Sequence, residues 1–275
     1  MNEFDNIYKN LVKDIFENGV EEYNERTWYK TKIKTWIHIN LRAENFPLLS
    51  LRKIPLKLFV AEQIWYLRWE LELDFFQKFS RIWDDFKEDD NTVESWYWYR
   101  WRNFFKKDQI EWLINMLEKE PSSRQWVVIT WDPNSDWLDN PKKKNSPCVP
   151  MWVANIVNWE LNFHVVFRSE DIMLWMPHDV AWFALLQHII AQKLWIKVWR
   201  LHFTVSHLHI YENHYKQAEE LISRTNEHKN VKLDLPKNTY DRIFDDWENL
   251  VLEIFENLKS QYTPLESLWK MQIAL

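Results

Sequence analysis

Residues 167–188 read F-R-S-E-D-I-M-L-W-M-P-H-D-V-A-W-F-A-L-L-Q-H. The stretch begins as the end of a run with strand character (160–168) and finishes as the opening of a long apolar helix expected over about 178–194. Trp175, Pro177 and Asp179 stand inside this apolar run, with no turn residue to spare between the two elements. An acid at such a place calls for an explanation, and so does a tryptophan where the chain wants a glycine.

Outward from this junction, the pattern keeps switching between the period of a strand and that of a helix. Downstream, it predicts a strand over 199–206, a helix over 211–224 and helical spacing again across 240–260. Upstream lie strands at 151–158 and 160–168, a buried strand V-V-I-T-W at 127–131 and an amphipathic helix over 107–119. Leu56, Phe59, Val60, Ile64, Trp65 and Leu67 give residues 55–68 a helical spacing, and K-I-K-T-W-I-H-I-N-L-R (32–42) alternates as a strand does. The opening helix, residues 4–18, carries Phe4, Ile7, Leu11, Ile15 and Phe16 and stops at Asn18-Gly19. Residues 134–146 are loop-like and lead into Pro147-Cys148. No repeat, low-complexity tract or linker divides the chain, so residues 1–275 are expected to form one α+β domain, a mixed sheet packed with helices.

The composition is unusual in one respect. A soluble chain of this length carries about 7% glycine, roughly nineteen residues, and few tryptophans. This chain has one Gly and twenty Trp. Many of the tryptophans stand in turn-like settings such as R-T-W-Y-K, V-N-W-E-L and K-L-W-I-K, where glycine is favoured because it reaches positive φ without steric cost. We read many of these letters as glycines, for instance through a UGA codon that means glycine in the source. The net charge of −6 argues against a general nucleic-acid or anionic-membrane binder. One cysteine rules out an internal disulfide and fits a reducing compartment. The N-terminus, M-N-E-F-D-N-I-Y-K-N, lacks a signal-peptide apolar region and no apolar run approaches the roughly 18 residues of a membrane span, so the expected location is the cytoplasm.

A lone cysteine is usually a small buried hydrophobe. The neighbourhood of Cys148 says more. S-P-C-V-P, then the stretch quoted above, then H-L-H-I-Y-E-N-H resemble the thymidylate synthase family, whose segments read P-P-C-H, Q-R-S-x-D-x-x-L-G-x-P-x-N-I-A-x-Y-A-L-L and D-x-H-I-Y-x-N-H. N-G-V-E-E-Y-N-E-R-T-W, A-E-Q-I-W-Y-L-R-W-E, R-I-W-D-D-F and W-Y-W-Y-R-W-R match further family segments in the right order. Trp28, Trp69, Trp98 and Trp175 each fall where the family has glycine.

The resemblance implies a sheet-mediated homodimer that transfers a one-carbon unit from 5,10-methylenetetrahydrofolate to C5 of a pyrimidine nucleotide, with no metal. Cys148 would be the nucleophile, because C6 of a pyrimidine is a poor electrophile and needs a thiolate to add there. Glu62 would organise proton transfer at the base, a role that suits a partly desolvated carboxyl. Arg26, Arg168 and Ser169 match phosphate ligands, and Arg124 matches an arginine that reaches the phosphate from the neighbouring subunit; forked, charge-assisted donors suit a dianion. Gln125 stands where the family has a second such arginine. Asp171 is the acid of the R-S-x-D motif and joins the nucleotide-binding set with Tyr97. His209 and Tyr211 match the pair that bonds the sugar hydroxyl; from their own surroundings they are as readily core or surface. Trp83, Ile82 and Leu275 would border the folate.

Asp179 stands where thymidylate synthases have Asn, whose amide matches uracil. Cytosine presents a ring-nitrogen acceptor beside an amino donor, and a carboxyl group that accepts from the amino group and shares a proton with the ring nitrogen matches that pattern. Asp at this place resembles the deoxycytidylate hydroxymethylases. Val149 agrees with them, since it replaces a His that helps hold uracil O4. The reaction expected from the sequence is therefore dCMP to 5-hydroxymethyl-dCMP. The alternatives are thymidylate synthase, a dCMP methyltransferase or, if bulky indoles fill the site, an inactive binding or regulatory relative.

Overall fold

The computed structural model describes residues 1–25, 27–68, 73–81, 83–84, 87, 93, 97–137, 146–269 and 271–273. The expectations placed on Arg26, Trp69, Ile82 and Leu275 lie outside the described residues.

Helix α1 (Glu3–Asn18) starts in a capping box: Asn2 Oδ1 accepts from the Asp5 N–H at 2.7 Å and Asp5 Oδ2 accepts from the Asn2 N–H at 3.3 Å. Phe4, Tyr8, Val12 and Ile15 form its buried stripe. Gly19 ends it with φ −69°, an ordinary value, so glycine is needed there for space: a Cβ would stand 2.4 Å from the Ile15 carbonyl oxygen.

Strands β1 (Val20–Asn24), β2 (Tyr29–Arg42), β3 (Val127–Ile129), β4 (Met151–Val157), β5 (Glu160–Phe167), β6 (Glu170–Asp171) and β7 (Lys197–Tyr211) form one mixed sheet. Its order is β1-β2-β7-β5-β4-β3, with β6 pairing β7 off that path. β7 is the spine: it runs antiparallel to β2 from Thr31↔Tyr211 to Arg42↔Arg200, and parallel to both β5 and β6. Parallel neighbours need a crossover, and helix α6 (Met176–Lys193) supplies it. Helix α2 (Leu56–Leu67) packs on α6 and is followed in the chain by the short helices α3 (Asp74–Gln77) and α4 (Tyr97–Tyr99). Ten of the twelve α2 residues and thirteen of the eighteen α6 residues are buried, which makes them the inner layer. Outside them lie helices α8 (Thr239–Asp245) and α9 (Trp247–Lys259), the first against α6 and the second against α2. The opposite face of the sheet carries exposed Trp36, His38, Asn40 and His164.

Three expectations change in detail. Residues 127–131 give a three-residue edge strand, β3, instead of a buried one: it pairs with β4 alone, leaving Val127 and Ile129 exposed. The helix expected from 211 starts at Tyr215 as α7 (Tyr215–Ser223), because Tyr211 still belongs to β7 and a 3-10 turn (Glu212–His214) intervenes. The 240–260 region is two helices that break at Asp246, where φ is −141°.

The backbone also answers the question about tryptophan. Trp28, Trp36, Trp159 and Trp195 have φ of 60°, 57°, 61° and 56°, the left-handed region, and their indoles are 71–89% exposed. Asn158 and Trp159 form the two-residue turn between β4 and β5, both with positive φ. That is the type I′ geometry for which Asn-Gly is the preferred pair. Trp195 follows the last turn of α6: its N–H donates to the Gln192 carbonyl at 3.1 Å and the Ile196 N–H to the Ala191 carbonyl at 3.0 Å. This is a Schellman motif with tryptophan at the position usually held by glycine. At these four sites the chain has a glycine backbone. Trp175, by contrast, has φ −97°.

Candidate active site

Three pieces of chain converge at one end of the sheet: the loop entering β4, the kink between β5 and β6, and the first turn of α6 facing α2. Cys148 is half-buried in the loop. Its carbonyl accepts from the Arg168 N–H at 2.9 Å across the kink. The Arg168 guanidinium donates from Nε to the Pro147 carbonyl at 2.8 Å and from Nη2 to the Ser146 carbonyl at 2.9 Å. These bonds use two of its five N–H donors. The arginine is exposed and Ser169 half-buried. Val149 packs into the core with 0% exposure.

Glu62 projects from α2 with 5% exposure. Its Oε1 accepts from Trp83 Nε1 at 2.7 Å, its Oε2 faces His178 Nε2 at 3.0 Å, and the Tyr66 hydroxyl also hydrogen-bonds this carboxyl. Trp83 stacks on Trp175 at 6.0 Å with 20° between the rings.

Asp179 sits in the first turn of α6, its N–H bonded to the Trp175 carbonyl at 3.0 Å. It keeps part of its surface open, while protein surrounds its carboxyl. Burial pushes its pKa from 3.8 up to about 7, and the negative charge of Glu62 adds to the rise; His178 and a hydrogen bond with Glu170 oppose it. Glu170 is 3% exposed. Burial, then the charges of Asp179, Cys148 and Asp171, raise its carboxyl well above the usual range. Tyr97 hydrogen-bonds the Val149 backbone beside Cys148, and burial followed by the charges of Cys148, Asp179 and Glu170 holds its hydroxyl well above its ordinary value.

Of the residues expected from the sequence, Cys148, Tyr97, Asp179, Glu62 and Trp83 therefore form one chain of neighbours, with Arg168 clamping the cysteine loop. His209 and Tyr211 end the buried part of β7, their rings 4.8 Å apart. Asp171 pairs in register with His209, and its Oδ1 accepts from the Met173 N–H at 2.9 Å and the Leu174 N–H at 3.2 Å, so it fixes the turn leading into α6. Arg124 is exposed in the turn after α5 (Gln109–Lys119), with Ser122, Ser123 and Gln125 around it, and makes no hydrogen bond or ion pair among the described residues. Sequence reasoning missed His178, Tyr66 and Glu170. The signal for two of them was at hand, since His178 precedes Asp179 and Glu170 follows Arg168-Ser169. No group of three or more metal-ligating side chains occurs among the described residues, nor does any helix long and apolar enough to cross a membrane.

The thymidylate synthase family model matches residues 6–266. A thymidylate synthase of Corynebacterium aurimucosum is 29% identical over 263 residues, which cover 92% of this chain and 96% of that protein. The match spans the cysteine loop, the kink and both helices that face the pocket, and the mixed sheet with its buried crossover helix agrees with it. The chain belongs to the thymidylate synthase family, enzymes that modify C5 of a pyrimidine nucleotide with the one-carbon unit of methylenetetrahydrofolate.

Proposed function

We propose that this enzyme acts on a cytidylate, converting dCMP to 5-hydroxymethyl-dCMP, as a homodimer. The observation that carries the reading is Asp179: a carboxyl in the first turn of α6, at the base-reading position, raised to about 7 by burial and by the charge of Glu62. Such a group holds a proton for part of the time at neutral pH. It can donate to the cytosine ring nitrogen while accepting from the amino group. An ionised carboxyl, which only accepts, meets uracil O4 with an oxygen and leaves that pair unmatched. Val149, turned into the core, offers nothing to uracil O4.

In this scheme the Cys148 thiolate adds to C6, and C5 becomes the carbon nucleophile. Methylenetetrahydrofolate would supply the carbon that C5 attacks; C5 would then give up its proton as tetrahydrofolate leaves, water would add to the exocyclic carbon, and the Cys148 thiolate would depart from C6. Glu62, bonded by Trp83, His178 and Tyr66, is held to move protons at the base. Trp83, anchored through its N–H, offers a flat apolar face of the kind on which a pterin stacks; the Trp175 indole covers that face, and a glycine at 175 would open it. Arg168, Ser169 and Arg26 would hold the phosphate with Arg124 of the partner subunit.

The test is kcat/KM for dCMP and dUMP, with the wild type and Asp179→Asn. A pocket built to pair with one base discriminates by about 10⁴ where its buried polar groups go unmatched. The wild type should prefer dCMP, and the Asn variant should lose most of that activity and gain part of the dUMP activity. Mass spectrometry of the product distinguishes hydroxymethyl from methyl. A wild type that prefers dUMP would leave thymidylate synthase as the answer.

A further inference from the structure

We propose that the sheet face opposite the helices binds a second copy of this chain only while the histidines at its centre, His38, His164 and His202, are uncharged, so that acid separates the dimer. The proposal rests on the homodimer reading and deepens it.

Val153, His164, His202 and Asn40 follow one another across this face from β4 to β2, and Val166, Thr204 and His38 form the adjoining row. Towards β3 the face is apolar, with Val127, Ile129 and Val157 exposed. In its middle, His164 Nε2 lies 2.7 Å from Thr204 Oγ1, the same hydroxyl lies 3.3 Å from His38 Nδ1, and the His164 and His202 rings stand 6.3 Å apart. The Thr204 hydroxyl can donate to one ring and accept from the other only if one of the two facing nitrogens is bare. Charging both rings aims two donors at one oxygen and leaves its proton without a partner. Strands β2, β7, β5 and β4 hold 14, 15, 8 and 7 residues. At about 3.3 Å per residue and about 4.8 Å between strands they present about 700 Å² of face, close to the roughly 800 Å² that each partner gives to a stable interface. A second copy is the occupant, because the proposed site draws Arg124 from a partner subunit.

The charges around the cluster work in one direction. Burial, then His38, holds His164 below the ordinary histidine value; burial, then His164 and Arg200, does the same for His202. Arg42 stands opposite Arg200 on β2 and adds a second fixed positive charge, while Glu160 lies at the far end of β5, beyond Asn162. The histidines that face a carboxylate are His178 and His214, elsewhere in the fold; none pairs with His38, His164 or His202 among the described residues. Covering the face with a second copy takes the remaining water from these rings and brings as many imidazoles again, so the dimer accepts the neutral form. The dimer therefore binds fewer protons than two separate chains. Association is favoured where the histidines are neutral and is lost as pH falls through the range below about 6.5.

The experiment is sedimentation equilibrium of the full chain between about pH 8 and about pH 5.5, in the wild type and in the triple variant His38→Gln, His164→Gln, His202→Gln. Each pair of like histidines that gives up its protons on association should weaken the dimer by about 10- to 100-fold across that span. The wild-type dissociation constant should rise by at least that factor. The triple variant keeps polar side chains that carry no charge, so its constant should stay flat. The slope against pH is the measure, and a general loss of affinity from an altered surface does not move it. Circular dichroism recorded alongside should stay native, and separation that occurs only together with unfolding would overturn the proposal. A wild-type dimer with a flat constant overturns the proton control and leaves the homodimer; a chain that is monomeric throughout overturns both. A triple variant that responds to acid as the wild type does puts the titrating groups elsewhere and refutes the assignment. Should the triple variant not fold, His164→Gln alone, which touches both Thr204 and His202, should lower the slope, and an unchanged slope would count against the cluster.

Discussion

Replacing Trp195 by Gly should stabilise the protein, although glycine ordinarily destabilises an element it enters. The left-handed backbone at φ 56° costs a residue with a Cβ about 1–2 kcal/mol. The indole is 89% exposed, so removing it gives up little buried surface. Against this stands the greater freedom of glycine in the unfolded chain, about 0.5–1 kcal/mol. The Schellman hydrogen bonds from residues 195 and 196 are backbone bonds and survive the change. The balance is a gain of about 1 kcal/mol, or roughly 2–4 °C in Tm for a chain of this size class. Urea denaturation of wild type and variant, read as the midpoint at constant slope, measures it. Trp175→Gly is the control: its φ of −97° offers no relief and its ring stacks on Trp83, so it should lose stability. A Trp195→Gly protein less stable than the wild type would refute the reasoning that a glycine backbone lies under a tryptophan letter.

Peptide mass spectrometry of protein from the native source should find glycine at positions 28, 36, 159 and 195, and intact tryptophan at all four would sink the reading. Cys148→Ala should abolish turnover and leave nucleotide binding largely intact by calorimetry, since Arg168 and Ser169 lie on another segment; a tenth of the activity remaining would remove Cys148 as nucleophile. Arg124→Ala should raise the KM for nucleotide, and hybrids of this variant with Cys148→Ala should regain activity if each site borrows an arginine; no recovery in freshly exchanged mixtures counts against a shared site. The raised pKa of Asp179 has a sign that can be checked by denaturation against pH. Between pH 3.8 and about 7 the native state keeps a proton that the unfolded chain releases, so this group lowers stability progressively as pH rises through that window. Asp179→Asn should therefore gain stability relative to the wild type as pH rises, and a difference that does not vary with pH would contradict the shift.

The long periodic elements were legible in the sequence because one residue in two or in 3.6 reports its burial. Residues 32–42 and 55–68 did so, and so did the strand-to-helix passage at 167–188, where Asp179 stood out as an acid in an apolar run. Strand β6 was not legible, since two residues carry no period. The contact of His178 with Glu62 spans 116 positions and depends on how α6 crosses α2, which no local pattern encodes. Motif order supplied Cys148, Glu62 and Asp179, but the burial of Glu170 arises from the kink after β5, a bend that the alternation in 160–167 does not announce.

The four solvent-facing indoles on left-handed backbone also affect how much protein an experimenter would think is in the tube. Indoles dominate near-ultraviolet absorbance, and the letter sequence assigns this chain twenty of them. If the source decodes positions 28, 36, 159 and 195 as glycine, an extinction coefficient taken from the letters overstates the true one. Every concentration based on it is then too low, and every turnover number too high by the same ratio. Weighing the protein, or counting its amino acids after hydrolysis, would show the discrepancy before any crystal or kinetic trace did.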